Sequence, residues 1–188
     1  MIFTPTPSQT VGPFLSIGLP WAGGPLAAAP DTPGAIRISG MIRDGAGAPV
    51  PDHVLETWQA DADGRFADLL GFGGASTLAG FRGFARCCAE DGDGSYEIVT
   101  VKPGPVAGVR PGSMQAPHID VSVMARGMLD RCVTRIYFAD EEQANASDPL
   151  LATVPRERWA TLLAHAAPGG YVFDIHLQGP SETVFFAI

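Results

Sequence analysis

The stretch His118–Ala125, HIDVSVMA, decides the fold. Ile119, Val121 and Val123 point to one side while His118, Asp120 and Ser122 point to the other, the period-two signature of a half-buried strand. The same pattern recurs on either side of it. Ala35–Arg43 places Ile36, Ile38 and Ile42 on one face and ends in the turn Asp44-Gly45-Ala46-Gly47. His53–Gln59 reads as a strand, and Ser95–Val101 as another, following the turn Asp91-Gly92-Asp93-Gly94. Cys132–Phe138 and Tyr171–Leu177 have the character of central strands, Thr183–Ile188 that of a last edge strand, and Gly71–Gly83 that of a loop. One helix is expected, over Pro155–Ala166, where Pro opens the segment and Trp159, Leu162, Leu163 and Ala166 fall at helical spacing. Eight or so short strands with one short helix and long loops predict a mainly β fold, a sandwich or barrel.

Residues 1–34 are different. They are rich in Pro, Gly and Ala, with turn signals at Gly23-Gly24, Pro30-Asp31 and Pro33-Gly34, and they predict an irregular N-terminal arm with no core of its own. Phe14 and Trp21 are apolar anchors that favour a docked arm over a free one. The division expected is therefore an arm over 1–34 and one β domain over 35–188.

Composition removes whole classes of function. In 188 residues there are 12 Lys+Arg against 20 Asp+Glu, a net charge of −8. With no basic cluster, nucleic acid is excluded as a partner. Hydrophobic residues make up 46% and charged residues 17%, which opposes intrinsic disorder. No apolar run approaches the roughly 20 residues of a membrane span. MIFTPTPSQT has neither a basic nor an apolar leader segment, so no signal peptide is expected. Cys87 and Cys88 are adjacent and Cys132 is alone, which suits free thiols in a reducing cytoplasm rather than a disulfide framework or a C-x-x-C clamp.

Candidate chemistry is sparse. The chain has no phosphate-binding loop, dinucleotide fingerprint, nucleophile elbow or H-E-x-x-H helix. Asp61-Ala62-Asp63-Gly64 and Asp91-Gly92-Asp93-Gly94 begin like calcium loops but lack the distal Glu, and read as turns. Of the four histidines, His118 stands on a clean strand two residues from Asp120. That pair suits either a His–carboxylate metal corner or a hydrogen-bonded structural histidine.

Several longer segments carry more information: TPSQTVGPF (6–14), ETWQADADGRF (56–66), GFARC (83–87), DGSYEIVTVKPGPV (93–106), APHIDVSVMARG (116–127), RIYFADEEQAN (135–145), YVFDIHLQG (171–179) and ETVFF (182–186). Together, in this order, they resemble the intradiol ring-cleaving dioxygenases over nearly the whole chain. The resemblance implies a transthyretin-like β-sandwich and an aromatic-ring-cleaving activity that uses O₂ and non-haem Fe(III). In catalytic chains of this family two tyrosines and two histidines hold the iron. One tyrosine lies in the loop after W-Q-A-x-x-G-x-Y, the other follows K-P-G-P, and the histidines form H-I-H.

This sequence departs from that pattern at three of the four ligands. Arg65–Gly80 contains no Tyr, Val106 follows Lys102-Pro103-Gly104-Pro105, and the strand reads His118-Ile119-Asp120. Tyr96, Tyr137 and Tyr171 all fall within expected strands. The expectation is no metal ligand and no catalytic residue in this chain, with Fe(III) held by a homologous partner chain in a hetero-oligomer. The resemblance further implies that Thr10, Gly12 and Pro13 of T-x-G-P and Arg126 of A-R-G bind the substrate, with protocatechuate, a carboxylated catechol, as that substrate. Two alternatives remain open here: a non-catalytic transthyretin-like binding module, and a homo-oligomeric enzyme with a replacement ligand set around His118 and Asp120.

Overall fold

The computed structural model describes residues 10–12, 14–68, 76–89 and 92–187. Eleven strands follow one another along the described chain: β1 Ala35–Arg43, β2 Val54–Trp58, β3 Phe84–Cys88, β4 Ser95–Val101, β5 Val106–Ala107, β6 Met114–Gln115, β7 His118–Met124, β8 Cys132–Phe138, β9 Leu163–Ala167, β10 Gly170–Val172 and β11 Ile175–His176. Nine of them form a sheet in the order β11-β1-β10-β9-β8-β7-β2-β3, with β4 paired to β1, and β5-β6 form a small hairpin.

The alternation read in HIDVSVMA is what the core uses. Ile119, Val121 and Val123 are all buried, and they meet Leu55, Ala85, Cys87 and Ile136 from neighbouring strands. Across from them lie Ile38, Ile42, Tyr96 and Ile98 of the β1-β4 wing. The long sheet thus bends on itself into a two-layered, nearly closed sandwich, and β9 joins the wings by pairing with β8 on one side and β10 on the other. Each fully buried Ile or Leu here contributes about 1.5–3 kcal/mol of transfer free energy.

Three local expectations differ from the structure. The helix expected over Pro155–Ala166 is a 3-10 segment, Arg156–Leu162, followed at once by β9. The apolar spacing was real, since Leu162 is buried and Trp159 packs beside it, donating Nε1–H to the Val154 carbonyl at 2.9 Å. The backbone beyond Leu162 is instead taken by the sheet, and tertiary pairing overrides helical spacing. Tyr171–Leu177 is broken into β10 and β11, because Phe173 and Asp174 cross over Gly40. A Cβ on Gly40 would lie 1.8 Å from the Phe173 carbonyl oxygen, so only glycine admits that crossing. Residues 182–187 form no regular strand, although Phe186 N–H donates to Val133 O at 2.8 Å, and Ile188 lies outside the described residues. Two short α-helices, α1 Leu15–Gly18 and α2 Glu142–Ser147, were not anticipated.

The part of the arm nearest β1 is stitched into the fold. Leu26 bridges to Val99 and Ala28 to Phe81, and Ala27 and Ala28 are buried. Arg86 on β3 holds the preceding residues. Its guanidinium pairs with Glu56, donates to the Leu19 carbonyl at 3.2 Å and lies 5.0 Å from the Trp21 ring, which stacks on Phe84. Among the described residues no helix is long and apolar enough to cross a membrane. No disulfide joins Cys87, Cys88 and Cys132.

Candidate functional site

Two places in the fold compete for attention, one at each end of β7. At its start is His118. Burial, reinforced by the nearby Arg135 charge, pushes its imidazole below the ordinary value of 6.5. Its Nδ1 donates to the Ala116 carbonyl at 2.7 Å, and Nε2 lies 4.0 Å from Asp120 Oδ2. Asp120 is committed elsewhere. The β7-β8 register sets it opposite Arg135, whose Nε donates to Asp120 Oδ1 at 2.7 Å. Arg135 Nη1 also donates to Gln115 Oε1 at 2.7 Å and reaches the Tyr137 hydroxyl at 3.5 Å. Tyr137 is fully buried and donates to Asp148 Oδ1 at 3.2 Å, and Asp148 in turn accepts the N–H groups of Ala116, Leu150 and Leu151 at 2.8 Å each.

This donor set does not fit Fe(III). A fixed guanidinium bonded to Asp120 stands beside His118, and a trivalent cation there would meet another positive charge instead of phenolate ligands. Val106, where the family pattern has a ligand tyrosine, is a buried apolar residue of β5. The hydroxyls of Tyr96, Tyr137 and Tyr171 are directed to Phe173 O, Asp148 and Asp140. The two Asp-Gly turns also satisfy their own oxygens internally. Asp61 Oδ1 accepts from Asp63 N and Arg65 N at 2.9 Å, and Asp93 Oδ1 accepts from Ser95 N at 2.8 Å.

At the other end of β7 the residues expected to bind substrate come together. Ala125–Met128 is a tight turn, with Met128 N–H donating to Ala125 O at 3.2 Å and Gly127 at φ +91°, where only glycine is at ease. Arg126 occupies the second position of this turn. The arm runs directly against it: Val11 N–H donates to Met128 O at 2.7 Å, and Gly127 N–H donates to Val11 O at 3.1 Å. Thr10 and Gly12, which flank Val11, are exposed beside that pairing, and Pro13 lies outside the described residues. Arg126 keeps 62% of its side chain exposed and pairs through Nε with Asp52 Oδ2 at 3.2 Å. The turn, the arm and the guanidinium form one unit. Phe14 (77% exposed) and Ile17 (74%) on the arm and Leu129 (62%) just after the turn are large apolar side chains left open.

A family profile described as Dioxygenase matches residues 25–179. The chain is 44% identical to the protocatechuate 3,4-dioxygenase alpha chain of Burkholderia cepacia, with 97% of each chain covered. The chain belongs to the intradiol dioxygenase family. Its members are non-haem iron enzymes. The alpha chain from Pseudomonas putida is 41% identical over 96% of this chain and 95% of its own. The Burkholderia cepacia beta chain is 31% identical over 79% of this chain and 66% of its own. Catechol 1,2-dioxygenase from Pseudomonas arvilla C-1 shares the fold, with a TM-score of 0.60 at 19% identity, over 95% of this chain and 64% of that one.

Sequence reading singled out Thr10, Gly12, Arg126 and His118 but not Arg135, Gln115, Asp148 or Asp52. Arg135 carried a signal in the antiparallel β7-β8 register, which sets 120 against 135, whereas Asp52 comes from the turn before β2. Gln115 and Asp148 come from loops and carried none.

Proposed function

We propose that this chain is the substrate-binding, iron-free half of a protocatechuate 3,4-dioxygenase. Its arm and Arg126 face a pocket whose Fe(III) is held by a homologous beta chain. The reaction inserts both atoms of O₂ into protocatechuate and gives 3-carboxy-cis,cis-muconate. The observation that carries this reading is the union of the Val11 segment with the Arg126 turn, at the opposite end of β7 from His118. A chain that had kept only the fold would have no need to hold an exposed arginine against the arm at Val11, with large apolar side chains left open on both segments.

The chemistry of this chain's own groups is recognition. The guanidinium offers charge-assisted hydrogen bonds to the carboxylate that distinguishes protocatechuate from catechol. The exposed backbone at Thr10 and Gly12 approaches closely because Gly12 has no side chain, and the open apolar side chains of Phe14, Ile17 and Leu129 are covered by the partner chain. The three unbridged cysteines support a cytoplasmic setting. The test is Arg126→Ala in the alpha–beta complex. It is expected to lower kcat/KM on protocatechuate about tenfold or more, the loss of one charge-assisted hydrogen bond of about 1.5–3 kcal/mol, with the iron spectrum unchanged. Wild-type turnover would make Arg126 a surface charge and remove the main support for this reading.

A further inference from the structure

The ladder between β2 and β7 pairs Val54 with Met124 as its last register position. Two residues further out on each segment, Asp52 lies in the turn that enters β2 and Arg126 in the turn that leaves β7, and the two form an ion pair. The Val54–Met124 pairing brings these two turns side by side, so the ion pair joins neighbouring turns at one end of the β2-β7 ladder. Asp52 is itself confined. It sits in the turn that enters β2, its side chain is only 20% exposed, and its neighbour His53 is fully buried with Nδ1 donating to Val50 O at 2.9 Å. The mobile partner is Arg126, and Asp52 touches it at Nε.

That choice of atom matters. Guanidinium carries five N–H donors in a rigid planar fork, and a contact at Nε leaves the terminal Nη1 and Nη2 pair for an incoming carboxylate. With the turn fixed by Gly127 and the arm fixed by Val11, the remaining freedom of Arg126 lies in its side-chain torsions. An anionic anchor at Nε restricts those torsions before substrate arrives, lowering the ordering cost of binding.

We propose that Asp52 is a positioning residue that presents the guanidinium of Arg126 to the carboxylate of the substrate, an inference that rests on the substrate-binding reading of Arg126 given above. The test compares Asp52→Asn, Arg126→Ala and the double variant, each assembled with the beta chain, on protocatechuate and on unsubstituted catechol. Asp52→Asn keeps the size and shape of the side chain and removes its charge. It is expected to raise KM for protocatechuate about two- to fivefold, the range of a partly exposed ion pair, with kcat moving less than KM. KM for catechol, which has no carboxylate, should not rise. In the double variant the Asp52 effect should vanish, and Asp52→Glu should recover part of the loss. If Arg126→Ala impairs protocatechuate turnover while Asp52→Asn leaves KM unchanged or lowers it, the positioning role is overturned and the substrate-binding reading stands. Equal loss on both substrates makes Asp52 a structural residue and overturns it as well. If Arg126→Ala is silent, the substrate-binding reading falls and takes the positioning role with it.

Discussion

His53 and His118 are held neutral inside the fold. Burial drives both imidazoles below 6.5, with Arg135 adding to the effect at His118 and the Val50 carbonyl partly opposing it at His53. In the unfolded chain both take up a proton near the ordinary histidine value, whereas in the folded chain they resist it. Their contribution to stability is therefore complete above about pH 6.5 and is lost as the pH falls from there toward their lowered folded values. The melting temperature should drop between pH 7.5 and pH 5.5, and the combined His53→Asn, His118→Gln variant should flatten that slope. A wild-type profile that is flat across this window would mean the two rings are not kept neutral. Asp61 acts in a separate window. Its Ser76 and backbone hydrogen bonds outweigh its desolvation and lower its carboxyl below 3.8, so its contribution is lost only in stronger acid. At this scale the sequence showed the departures from the ligand pattern, because a residue type at a motif position can be read directly. It did not show what fills the space. Arg135 reaches the ground beside His118 through the β7-β8 register, and Gln115 and Asp148 arrive from loops whose paths no periodicity encodes.

Among the elements, β1, β4 and β8 have the bounds read from the sequence, and β7, where the alternation is clean, ends one residue short of the stretch that predicted it. β3 was obscured by the glycine-rich segment before it. β9 was hidden behind spacing that suits a helix, and β10-β11 read as one strand because the crossing at Gly40 depends on a distant glycine. The arm carries the substrate contacts we propose, and between its Val11 pairing and its bridges at Leu26 and Ala28 it is held by a cluster on β3. Arg86, set opposite Glu56 by the β2-β3 register, meets Leu19 and Trp21 as well. Its guanidinium is mostly covered, so its ion pair and ring contact together are worth about 1–2 kcal/mol. Arg86→Ala should accordingly raise the rate of limited proteolysis within residues 14–23 about five- to thirtyfold while the sandwich melts nearly as before. An unchanged cleavage rate would show that the bridges at Leu26 and Ala28 hold the arm without Arg86.

For the whole molecule, the sandwich offers two ends of one strand, and the two are specialised. One holds a buried network in which a guanidinium is bonded to Asp120 beside His118, and the other holds an exposed guanidinium beside a docked arm. We propose that these ends reflect a division of labour, with substrate recognition here and Fe(III) on a homologous chain. It is tested most directly by metal analysis of the purified alpha–beta complex with wild-type and His118→Ala forms of this chain. One iron per alpha–beta pair is expected in both, with the same visible absorption, if His118 is no ligand. Two irons per pair in the wild type, falling to one with His118→Ala, would contradict it.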